Sequence, residues 1–164
     1  MKLLTTKTTR GGLGKKLSDT IKIIAQYISD RYEPMWGLWH GASDEKNFLL
    51  FKKYLQNCTI VGTSRTIESE KDNILHRDYS LQYDDFINRF DFIYSDIVAD
   101  IPNINETFHV WRKQLIVNGI MIFDLPKDYE THILIKLFRD YMVIVDILSF
   151  AKNKILIIDM KKNE

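Results

Sequence analysis

Cysteine is almost missing from this chain: Cys58 stands alone. A single thiol excludes an internal disulfide and a cysteine-rich zinc site. Its place between Asn57 and Thr59, at the head of an apolar run, reads as a buried structural thiol. His40, His76, His109 and His132 show no paired spacing, so no metal site is expected; the scattered Asp96, Asp100 and Asp124 are the one set that could hold Mg²⁺. No apolar run approaches the ~20 residues of a membrane span, and no hydrophobic signal core follows the first lysine. A soluble, cytoplasmic protein with no membrane partner is therefore expected. An excess of one charge is absent too. The 23 basic and 22 acidic residues leave a formal net charge of +1, which exerts no global pull toward nucleic acid.

What is present describes one globular domain. The 164 residues are 45% hydrophobic and 27% charged, enough to bury a core and too apolar for disorder. Only the N-terminus departs from this balance. Lys2, Lys7, Arg10, Lys15, Lys16 and Lys22 face Asp19 alone there, so residues 1–16 read as a flexible basic arm and 17–164 as the domain. Gly11, Gly12 and Gly14 beside Lys15 do not have the Walker spacing, and no strand precedes them.

Hydrophobic periodicity then divides the domain. Ser18 reads as the N-cap of a helix carrying Ile21, Ile24, Ala25 and Ile28 to about residue 32. A first strand follows over Met35–Trp39. Ser43, Asp44 and Glu45 suit the cap and first turn of a helix marked by Phe48, Phe51 and Leu55. Thr59–Gly62 is a second strand and Asn73–Asp78 a weak third, and Tyr83–Arg89 reads as a turn or short helix. Phe90–Asp96 is a fourth strand. A helix from Asn105 to about Val117, closed by Asn118-Gly119, leads to a fifth strand ending at Asp124. A helix over Tyr129–Tyr141 presents Ile133, Leu134, Leu137 and Phe138 on one face. Met142–Phe150 and Lys154–Met160 are joined too briefly for anything but an antiparallel hairpin. The expected fold class is α/β, a Rossmann-like, mostly parallel seven-stranded sheet with helices on both faces and a C-terminal antiparallel hairpin. Ligands of such sheets sit beyond the carboxyl ends of the strands, which places Asp96 and Asp124 beside a cleft. Asp91, at the start of its strand, reads as a solvent-facing or edge residue. The aromatic residues read mainly as core.

Leu38-Trp39-His40-Gly41-Ala42-Ser43, Thr59-Ile60-Val61-Gly62-Thr63, Phe90-Asp91-Phe92-Ile93-Tyr94-Ser95-Asp96 and Asn118-Gly119-Ile120-Met121-Ile122-Phe123, with the closing hairpin, resemble class I S-adenosylmethionine-dependent methyltransferases. They are especially similar to small bacterial and phage methyltransferase-like proteins with a His-Gly loop after the first strand. The resemblance covers about residues 34–160. It implies S-adenosylmethionine as cofactor, held by His40, Gly41 and Ala42 after the first strand, by Thr63 and Ser64 after the second, by Asp78 and Tyr79 at the adenine, and by Ser95 after the fourth. It also implies Asp96 and Asp100 on the catalytic side, with Asp124 and His40 as further candidate bases, although His40 reads rather as a structural loop residue. Gly41 is the only glycine of its loop, and no acid stands at Thr63-Ser64-Arg65, where the family offers one to the ribose. The implied activity is methyl transfer to a small-molecule or glycan-type acceptor. A non-catalytic binding or scaffold protein of the same fold and an enzyme degrading S-adenosylmethionine stay open beside it. The outer edge of the hairpin is a candidate homodimer surface.

Overall fold

The computed structural model describes residues 17–31, 33, 36–42, 44–140 and 142–160, with the side chains of 17, 18, 31, 138 and 142–145 left aside. The basic arm, Met35 and Ser43 fall outside the described residues, and Ser18, expected as an N-cap, lies inside α1, which begins at Leu17. In chain order the elements are α1 (Leu17–Arg31), β1 (Trp36–His40), α2 (Glu45–Tyr54), β2 (Thr59–Ser64), β3 (Ile74–His76), β4 (Phe90–Ser95), α3 (Ile104–Gln114), β5 (Leu115–Pro126), α4 (Thr131–Phe138), β6 (Met142–Ser149) and β7 (Asn153–Met160). They build one seven-stranded sheet in the order β3-β2-β1-β4-β5-β7-β6. Strands β1 to β5 pair in parallel, while β7 runs antiparallel to both β5 and β6.

Alternation along the central strands sends side chains to two cores. Phe92, Tyr94, Ile120, Ile122, Ile155 and Ile157 meet α1 and α2, through Ile21, Ile24, Ala25 and Ile28 and through Phe48 and Phe51. Ile93, Met121, Phe123, Leu156 and Ile158 meet the other layer, where Phe108 and Trp111 of α3 and Leu134 of α4 lie. Helices therefore cover both faces. The turns of the chain that join β2 to β3 and β3 to β4 carry no α-helix; a bridge between Lys71 and Ile74 and a 3₁₀ turn at Asp84–Phe86 take their place.

Further expectations need correction. Helix α3 stops at Gln114, because Leu115 is already extended (ψ 143°) and the β-branched Ile116 and Val117 continue as strand. Asn118, at φ 67°, is an irregularity within β5 and not a helix-to-strand turn. There β5 advances from Leu115 to Ile120 while β4 advances only from Phe90 to Phe92. On α4, Leu134 is fully buried whereas Ile133 and Leu137 are exposed, so the helix meets the sheet along a narrower stripe than its apolar spacing implies. Asp91 is half-buried, and its carboxylate accepts the Trp36 backbone N–H at 2.9 Å, tying the starts of β4 and β1 together. Cys58 is half-buried, and burial followed by the nearby Asp91 pushes its thiol up to about 12, which leaves it unreactive.

Gly37 sits in the middle of β1 because Phe92 of β4 fills the space above it. A Cβ there would lie 2.1 Å from the Phe92 ring. Gly37→Ala is expected to cost ~1–3 kcal/mol through overpacking. Urea denaturation checks this as a lowered midpoint at constant slope; an unchanged midpoint would contradict the packing described.

Candidate functional site

The carboxyl ends of β1, β2 and β4 are level with one another, since His40 pairs with both Thr63 and Ser95. The chain leaves β1 through Gly41, whose φ of +85° few side-chain-bearing residues adopt; a Cβ there would also meet Ile97 at 2.6 Å. The Gly41 and Ala42 N–H groups both donate to the Thr63 carbonyl, at 3.0 and 2.8 Å. Ala42 is buried against the glycine-only space at Gly62, where a Cβ would lie 2.8 Å from its own. Asp44 caps α2, accepting from the Asn47 N–H at 3.2 Å and from its side-chain amide at 2.6 Å.

His40 is buried beneath this loop. Its Nδ1 lies 2.9 Å from Thr63 Oγ1 and its Nε2 lies 2.8 Å from Gln114 Oε1, while its ring stacks on Trp111 with centroids 4.5 Å apart. Burial lowers its pKa to about 4 against a smaller raising effect of Gln114, so it is neutral at pH 7. With Nε2–H donating to Gln114, Nδ1 accepts the Thr63 hydroxyl proton. Ser95, also buried, donates from Oγ to the His40 carbonyl at 3.1 Å and accepts the Ile97 N–H. The side chains of His40, Thr63 and Ser95 are thus spent on one another and on the loops. In the loop after β1, Gly41 is half-exposed, Ala42 buried and Asp44 exposed.

At the ends of β2 and β3 the picture is polar and open. Ser64 Oγ accepts the Thr66 N–H at 3.2 Å. Arg65 follows it, reaching Asp78 Oδ1 at 2.5 Å and lying over the Tyr79 ring at 4.1 Å. Ser80 donates to that same oxygen from its N–H and its hydroxyl, at 2.8 and 2.6 Å. The Asp78 carboxyl is held below the usual carboxylate range: burial raises it, and the Arg65 and Ser80 hydrogen bonds outweigh that. All of these donors meet the same carboxylate oxygen, Oδ1.

Beyond β4 and β5 stand two carboxylates in different surroundings. Asp124 is buried, accepting from the Tyr94 hydroxyl at 3.1 Å and from Asn153 Nδ2 at 2.7 Å, and burial raises its pKa. Asp96 keeps an open face to solvent, with the Trp39 indole N–H 3.4 Å from Oδ1. Protein packed beneath it pushes its carboxyl up to about 6, mainly by desolvation, with Asp124 and Asp44 adding repulsion. Asp100 lies apart on an exposed 3₁₀ turn, Val98–Asp100. Among the described residues, no group of three His, Cys, Asp or Glu side chains is placed to hold a metal ion, and no helix is long and apolar enough to cross a membrane.

No protein-family model matches the sequence, and no curated protein matches it significantly. Solved structures do match. A Burkholderia thailandensis 1,6-didemethyltoxoflavin-N1-methyltransferase, with bound 1,6-didemethyltoxoflavin and S-adenosylhomocysteine, superposes with a TM-score of 0.69 at 12% identity, over 88% of this chain and 78% of that one. A SAM-dependent methyltransferase from Aquifex aeolicus gives 0.65 at 9% identity, over 89% of this chain and 99% of that one. This is a class I methyltransferase fold. A fibrillarin/Nop5p complex shares it at a TM-score of 0.66 and 14% identity, over 96% of this chain and 92% of that one. At such identities the likeness is one of architecture, and the site must be argued from the residues above.

Several participants carry no sequence signal of their own. Gln114 and Trp111 look like any helix residues, and Asn153 like any hairpin residue. Only the superposed strand ends bring them to His40 and Asp124. The raised Asp96 pKa gives a direct test. Because the folded value lies above the unfolded one, ionising Asp96 costs stability, and the cost appears as pH rises from about 4 through about 6. Asp96→Asn is therefore expected to stabilise the fold at pH 7 relative to its effect at pH 4, as read by thermal melts at the two pH values. Asp124→Asn is expected to lower the Asp96 midpoint in a carboxyl-carbon NMR titration.

Proposed function

We propose that the chain binds S-adenosylmethionine across the carboxyl ends of β1, β2 and β3 and transfers its methyl group to a small-molecule acceptor held over β4 and β5. The observation that carries this reading is Asp96: an open carboxylate with a pKa of about 6, at the end of the fourth strand of a methyltransferase fold. The residues fit the cofactor. Gly41 brings a half-exposed stretch of backbone to the end of β1, Asp78 is a charged acceptor for the nucleoside, Tyr79 and Arg65 offer planar groups beside it, and the Asp96 carboxylate suits a sulfonium cation. When bound, the cofactor supplies a methyl group on positively charged sulfur.

The remaining work falls to the chain. In-line displacement depends on holding donor and acceptor in register, and the rigid strand ends provide that. Asp96, ionised at neutral pH, accepts the proton that an O–H or N–H nucleophile loses as it is methylated. Asp100 sits four residues beyond it on the rim and contacts the acceptor. Asp124, committed to Tyr94 and Asn153, fixes the floor between β4, β5 and β7. The loops that follow Asp78, Asp96 and Asp124 leave only a small enclosure for an acceptor, which favours a small molecule, with glycan hydroxyls as one class. A second reading, a non-catalytic nucleoside-binding protein, is favoured by one observation: Arg65 occupies the end of β2 in an ion pair with Asp78.

Calorimetry with S-adenosylhomocysteine and incubation of methyl-labelled S-adenosylmethionine with a panel of amines, phenols and sugars test the proposal. Binding plus labelled product is expected, with a rate that rises through about pH 6 as Asp96 ionises. Asp96→Asn is expected to lower kcat by roughly 10²-fold or more at unchanged affinity for S-adenosylhomocysteine, which lacks the sulfonium charge. No binding at millimolar concentration would sink the reading. Binding without transfer would assign the non-catalytic role, and product formed without an acceptor would assign cofactor breakdown.

A further inference from the structure

We propose that His40 is a positioning residue that sets the shape of the nucleoside side of the cleft through Thr63 and Trp111, without touching the ligand. The proposal rests on reading the strand ends as an S-adenosylmethionine site. At 1% exposure the His40 side chain cannot reach a bound molecule. Its ring instead joins two arms. One arm runs through the Thr63 hydroxyl at 2.9 Å to the residue whose carbonyl gathers the Gly41 and Ala42 amides. The end of β1 and the loop after it are thereby tied to the end of β2 by three hydrogen bonds, one of them donated by the Thr63 hydroxyl to the imidazole. The other arm runs through the stacked Trp111, whose indole N–H donates to the Tyr79 carbonyl at 2.8 Å and whose ring meets the Tyr79 ring edge-on at 6.4 Å. Tyr79 in turn underlies Arg65 and follows Asp78. One imidazole therefore sets both the loop that passes beneath a cofactor and the loop that carries its charged acceptor.

A purely structural role does not account for this network. Gln114, which holds His40 Nε2, is itself fully buried, and its amide Nε2 has no partner among the described residues. A buried orphan donor lowers stability, and an apolar pair of similar shape would remove that cost. Polar groups kept against local stability mark places where geometry matters more than packing.

The test follows from that contrast. The His40→Phe/Gln114→Leu double variant keeps a flat ring on Trp111 and removes the polar contacts; Thr63→Val removes one hydroxyl. The double variant is expected to melt at or above the parent temperature. Its Gly41 and Ala42 amides are expected to exchange hydrogen at least tenfold faster, and its dissociation constant for S-adenosylhomocysteine to rise at least tenfold. Thr63→Val is expected to move exchange and affinity the same way, by about threefold. A folded double variant with parental exchange and affinity overturns the proposal. So does a double variant that fails to fold while Thr63→Val leaves both unchanged. If the parent protein itself binds no S-adenosylhomocysteine, the cofactor reading falls, and amide exchange still decides what His40 does.

Discussion

Two amide hydrogens, those of Gly41 and Ala42, converge on the carbonyl oxygen of Thr63. The rest of the site depends on that convergence. It forces the chain to turn sharply as it leaves β1, which demands a residue at φ +85° and no Cβ against Ile97. It seats Ala42 over Gly62 and delivers Asp44 to the start of α2, where its carboxylate meets the helix N–H groups.

The ends of β4 and β5, the proposed acceptor side, show how environment sets like groups apart. Asp96 and Asp124 each follow directly on the Ser95–Phe123 pair of adjacent parallel strands. Asp124 is enclosed and bonded to Tyr94 and Asn153, so it braces three strands. Asp96 is crowded from below and open above, so it keeps an ionisable, reachable carboxylate. Two carboxylates in unlike surroundings take unlike roles. On the nucleoside side, the acid absent after β2 has a counterpart across the gap. Arg65 stands there instead, and Asp78 from the end of β3 leans on it through Oδ1.

Much of this was legible in the chain. Apolar strands read to end at Trp39, Asp96 and Asp124, the turn-bounded helices and the brief hairpin connection define a parallel sheet with an antiparallel finish, and the structure has it. The misplaced boundary at Leu115 has a local cause: Leu-Ile-Val continues a helical apolar spacing equally well, and pairing with Phe90 settles it as strand. Ile133 and Leu137 misled because periodicity reports which face is apolar but not how wide a stripe the sheet covers. The contacts of Gln114, Trp111, Asn153 and Arg65 join residues up to 74 positions apart, and no local pattern encodes such pairs.

The central claim is that the carboxyl ends of β1 to β4 form one S-adenosylmethionine site. Amide chemical-shift mapping during titration with S-adenosylhomocysteine tests it most directly. Saturable shifts concentrated at Gly41, Ala42, Arg65, Asp78, Tyr79 and Asp96 are the predicted result. Shifts absent, or confined to the opposite ends of the strands or to the hairpin, would contradict it.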